Sequence, residues 1–101
     1  MDARQESDLS AAIAAILERF ATSVIFKRLR LRVRELGDNQ RDEVAQFKQL
    51  QRACREAPDL QKAFIDAGIG DLTRADPRAP DVKTGAVIQA FNRFVEARWE
   101  E

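Results

Sequence analysis

Apolar residues recur along the chain at three- and four-residue intervals, the spacing of one face of a helix, and only residues 26–34 alternate as a strand does. Strong breaks interrupt that spacing at Gly37-Asp38-Asn39, Ala57-Pro58-Asp59, Gly68-Ile69-Gly70 and from Asp76-Pro77 to Pro80-Asp81. The stretches between them predict an all-α fold. We expect a small bundle of about four helical segments, at residues 8–36, 39–56, 58–67 and 82–99, forming a single domain over 1–101.

The later segments carry the clearest local signals. In the second, Asp38 or Asn39 can cap the helix, Asp42 and Glu43 fall in the first turn, and Val44, Phe47, Leu50, Cys54 and Ala57 make one stripe. In the third, Pro58 suits a first-turn position, Leu60, Ala63, Phe64 and Ala67 form the inward face, and Gly68 can close the helix in a left-handed cap. The last puts Thr84, Val87, Ile88, Phe91, Phe94, Val95 and Trp99 on one side, with Gln89, Asn92, Arg93 and Glu96 on the other. Trp99 either closes that apolar face or anchors an interface. Between Gly68 and Asp81 the connection is long for a helical bundle, and Ile69 and Leu72 are expected to pin it, through a single turn starting at Asp71.

The first segment holds two stripes. At about 100° per residue, Leu9, Ile13, Ile16, Leu17, Phe20 and Val24 share one face, while Ile25, Leu29, Val33 and Leu36 lie nearly opposite. One straight helix cannot bury both against a single neighbour. Either the chain bends at Thr22-Ser23, or one stripe packs at home and the other meets a second subunit. The expectation carried forward is a homodimer through Leu9, Ile13, Ile16 and Phe20, with the alanines at 11, 12, 14 and 15 permitting close backbone approach.

One segment stands out chemically. Lys27, Arg28, Arg30, Arg32 and Arg34 place five cations within eight residues, interleaved with Leu29, Leu31 and Val33. As a strand, the arginines would form one outward row, as in strand readers such as the ribbon-helix-helix repressors. The surrounding order fits that arrangement poorly: the following helix is too long, Ala57-Pro58 replaces a glycine turn, and a substantial helix comes first. A lone strand would also need a partner across a dimer. As a helix, Arg28 and Arg32 flank one side of the Ile25, Leu29, Val33, Leu36 stripe and Arg30 and Arg34 the other, their methylene stems covering apolar surface.

Composition narrows the chemistry. The 101 residues contain 17 Lys plus Arg and 17 Asp plus Glu, no histidine and one cysteine. Without histidine there is no triad, no dyad with Cys54 and none of the commonest zinc or haem ligation. Cys54 lies on an apolar stripe and is expected to be a buried small hydrophobe. Asp42-Glu43 and Glu100-Glu101 sit at helix ends, where dipole and solvation account for them, and Gly68-Ile69-Gly70 lacks the context of a phosphate cradle. No enzyme activity, metal or cofactor is expected. Zero net charge confines any polyanionic partner to the Lys27–Arg34 stretch.

An acidic N-terminus and the shortness of the Leu9–Leu17 apolar run predict neither signal peptide nor membrane span, hence a cytoplasmic protein. Thirteen arginines against four lysines, with sixteen alanines, suggest a GC-rich bacterial or phage genome. The expected function is that of a non-enzymatic interaction module, an adaptor, regulator or inhibitor. It would dock on a protein partner through a helical surface and Lys27, Arg28, Arg30, Arg32 and Arg34. The alternative is a dimeric DNA- or RNA-binding regulator that sets the same arginines on phosphates.

Overall fold

A serine divides the first segment. In the computed structural model, which describes residues 3–37 and 42–99, α1 (Ala3–Phe20) ends just before Ser23 and α2 (Val24–Glu35) begins just after it. Ser23 serves both ends. Its hydroxyl donates to the Phe20 carbonyl at 2.7 Å and accepts the Phe26 amide at 3.2 Å, satisfying a terminal acceptor of one helix and a terminal donor of the next. From Asp8–Phe20 to Val24–Glu35 the chain turns by 104°. The predicted single helix over 8–36 is therefore two, and the bend at Thr22-Ser23 is the outcome that resolves its two stripes.

The remaining helices are α3 (Glu43–Glu56), α4 (Pro58–Asp66) and α5 (Val82–Arg98), so the described residues hold five α-helices and no strand. α3 starts later than the spacing predicted because Asp42 is its cap, accepting the Ala45 amide at 2.7 Å; Asp38 and Asn39 lie outside the described residues. α4 closes as expected. Gly68 takes φ +79°, which lets its own amide reach Ile65 and the Ile69 amide reach Phe64, both at 3.0 Å. Asp81 caps α5 by accepting the Thr84 amide at 2.7 Å.

α3 is the centre of the assembly: α2, α4 and α5 pack on it, and α1 closes over α5 and α4. Phe47, Leu50 and Cys54 of α3 are buried among Phe26, Phe64 and Phe91 from three other helices. The 104° bend brings Phe26 to this core, where its ring meets Phe94 at 6.0 Å and Trp99 at 6.2 Å, both edge to face. Trp99 is itself buried against Phe91 and Phe94, so it closes the α5 face and offers no interface anchor. The 68–81 connection is held as expected by buried Ile69 and Leu72, with a 3₁₀ turn at Leu72–Arg74 capped by Asp71. Gln51 adds a tie that the pattern did not reveal. Buried on α3, it donates to the Leu72 and Ala75 carbonyls, each at 2.8 Å.

The dimer surface expected on α1 is corrected by burial. Ile13 is 0%, Phe20 6% and Ile16 8% exposed within one chain, and Leu9 packs against the same core. The bend delivers both stripes to one interior, so Ile13, Ile16 and Phe20 are covered within the chain itself. Among the described residues no single helix is long and apolar enough to cross a membrane.

Candidate docking face on α2

Lys27–Arg34 is helix throughout, which settles the choice between helix and strand. The helix turns Phe26, Leu29 and Val33 inward and leaves Ile25 and Leu36 half-buried at the margin. Opposite them lie Val24 and Leu31, one heptad apart, 65% and 61% exposed. Val24 thus leaves the α1 stripe on which the spacing had placed it, because the break at Ser23 resets the helical phase. Leu31 points outward, against the strand expectation that aligned it with Leu29 and Val33.

The five cations divide around this face. Lys27, Arg28 and Arg34 are exposed and form no ion pair with a described residue. Arg32 is committed at home: its Nη2 lies 3.1 Å from both carboxylate oxygens of Glu56, and only 19% of its side chain is exposed. Glu56 also accepts Arg52 Nε at 3.0 Å, and the hydrogen bonds from Arg32 and Arg52 hold its carboxyl below the usual glutamate range. Arg30 is half-buried, with its Nε screened from solvent and without an acceptor; the buried Oε1 atoms of Gln46 and Gln49 likewise lack donors. The structure therefore does not keep the predicted set together as one basic patch. Lys27, Arg28 and Arg34 face solvent, Arg30 lies at the margin, and Arg32 is neutralised.

A second concavity lies between α1 and α5. This open groove of about 370 Å³ is lined chiefly by Ala11, Ala14, Leu17, Ala90 and Phe94, together with Glu18 and Arg93. Glu18 is already ion-paired with Arg98 across the helices. Among the described residues no three metal-ligating side chains converge. Cys54 sits in the core, where burial, reinforced by the nearby Asp71 carboxylate, pushes its thiol up to about 12, far from the range of a nucleophilic thiolate.

No family model, curated protein or solved structure matches the chain. Its surfaces are thus compared with one another. The α1–α5 groove joins alanines, Leu17 and Phe94 to one paired acid and one arginine. The α2 face joins two large exposed aliphatics to Lys27, Arg28 and Arg34, which pair with no described residue, and to one exposed acid, Glu35. Spacing alone held a signal for Val24 and Leu31: both fall opposite the Ile25, Leu29, Val33, Leu36 stripe once α2 is treated as its own helix.

Proposed function

We propose that this chain is a non-enzymatic interaction module, an adaptor, regulator or inhibitor, that docks on an acidic protein partner through the outward face of α2. The observation that carries this reading is the exposure of Val24 and Leu31 amid Lys27, Arg28 and Arg34. Leaving an aliphatic side chain in water forgoes about 1.5–3 kcal/mol of burial, and an apolar pair bordered by three exposed cations against one acid, Glu35, is the composition that a complementary acidic, apolar surface would cover. Arginine suits the role because its planar fork takes a carboxylate bidentately. Nucleic acid is the weaker candidate, since phosphates laid on this face would gain nothing from Val24 and Leu31. The single, buried, unpaired thiol accords with a reducing compartment, in keeping with a cytoplasmic setting.

The test is photo-crosslinking in the native cell, with a photoreactive phenylalanine analogue placed at position 31 or, as a control, at position 15 on the outer side of α1. The proposal expects a discrete protein adduct from position 31, lost when Lys27, Arg28 and Arg34 are changed to Glu. A nucleic-acid adduct at position 31, or protein adducts from position 15 alone, would contradict it.

A further inference from the structure

Two edges border the docking face, and the chain treats them differently. Arg28 and Arg32 lie one turn apart on the first edge, while Lys27, Arg30 and Arg34 follow i, i+3, i+7 spacing along the second. The chain supplies its own acid to the first edge, where Glu56 receives Arg32. The second edge meets no acid among the described residues. Arg30 on that edge is half-buried, and its Nε is screened from water without an acceptor, as is Nη1 of Arg32 on the first edge, so the edges differ in the acid supplied and not in a buried orphan donor.

The apolar pair repeats with a related period. Val24 and Leu31 are seven residues apart, about 10.5 Å along the axis, which is the repeat of an apolar stripe on a second helix lying alongside. We infer that the partner presents an acidic amphipathic helix laid along α2. Its apolar stripe would cover Val24 and Leu31, and its row of Asp or Glu side chains would meet Lys27, Arg30 and Arg34. This inference rests on the docking function proposed above and adds the edge, the register and the chemistry of the ligand. Lys27 and Arg34 are the exposed cations of this acid-free edge and Arg30 its half-buried member, while Arg28 lies on the edge that already holds the Arg32–Glu56 pair.

The experiment is fluorescence anisotropy with a labelled helical peptide that sets a leucine stripe beside a one-turn-spaced row of glutamates. It is run against a scrambled peptide of equal composition, duplex DNA, and vesicles of phosphatidylserine and phosphatidylcholine. The ordered peptide should bind about tenfold or more tighter than the scrambled one. Lys27→Glu combined with Arg34→Glu should weaken it by about tenfold or more, Arg30→Gln by about three- to tenfold, and Arg28→Gln by less than about twofold. Thermal melts of each variant confirm an intact fold. Equal losses from Arg28→Gln and Arg30→Gln overturn the edge assignment, and equal binding of the scrambled peptide overturns the helical register; both leave the docking function standing. No binding of the ordered peptide overturns the acidic-helix ligand. Preferential binding of duplex or vesicles overturns both this inference and the protein-docking function, as does the absence of a protein adduct at position 31.

Discussion

α1 and α2 are consecutive, amphipathic and separated by a single capped break, yet they use their apolar residues in opposite ways. α1 turns Ile13, Ile16, Leu17 and Phe20 inward and shows solvent mainly alanines and charges. α2 turns Phe26, Leu29 and Val33 inward and leaves Val24 and Leu31 out. Alanine on an outer face follows from helix propensity alone; large aliphatics are also exposed singly at Ile65 of α4 and Val82 of α5, and α2 differs in carrying two on one face beside Lys27, Arg28 and Arg34. The contrast separates a solvated helix from one with a face to spare.

Substitutions can break this comparison, and the largest effect belongs to the α1 interior. Ile13→Asp places a carboxylate where no solvent reaches and should cost about 5 kcal/mol or more, enough to abolish cooperative folding by circular dichroism. A folded monomer from this variant, arising from a larger wild-type species, would instead restore the dimer expectation. On the inward side of α2, Phe26→Ala should cost about 3–5 kcal/mol in urea unfolding, because the ring joins α2 to Phe94 and Trp99. Ser23→Ala removes the hydroxyl shared by the two helix ends and should cost about 1 kcal/mol in the same assay. On the outward side, Leu31→Asp should shift stability by no more than about 0.5 kcal/mol while abolishing the adduct at a photoprobe moved to position 24.

The smallest effect concerns pH. Glu56 has its carboxyl held below the unfolded value of 4.5 by Arg32 and Arg52. Its stabilisation is therefore present above about pH 4.5 and is lost as pH falls through the lowered folded value. Asp81, held low chiefly by the Thr84 amide, acts in the same direction below its unfolded value of 3.8. Glu56→Gln should lower the melting midpoint slightly at pH 7, and the gap to wild type should narrow as pH falls below 4.5 and through the lowered folded value. A gap that does not narrow would remove the Arg32–Glu56 pair from the account of why the two edges of α2 differ.

Much of the fold was legible from spacing and caps. The stripe of α5, Pro58 at the start of α4, Gly68 at its end and the Asp71 turn all rest on interactions within a few residues, which sequence displays directly. The break between α1 and α2 was legible as a weakness at Thr22-Ser23. Its realisation depended on one hydroxyl serving both helix ends and on a core able to take both stripes, and sequence spacing settles neither. The basic stretch was visible at once, but its partition was not. Arg32 is neutralised by Glu56, 24 residues away, and Gln51 grips carbonyls 21 and 24 residues along; such pairings exist only after packing. The burial of Ile13, Ile16 and Phe20 within the chain was hidden for the same reason, since it depends on the bend.

We propose α2, and chiefly its Lys27–Arg30–Arg34 edge, as the surface that meets a partner. Amide chemical-shift mapping of the labelled protein titrated with the acidic helical peptide tests it most directly. Perturbations concentrated over Val24–Glu35 and largest around Lys27, Arg30, Leu31 and Arg34 are the predicted result. Perturbations centred instead on Ser10–Glu18 and Ala90–Phe94, with α2 unmoved, would contradict it and assign docking to the α1–α5 groove.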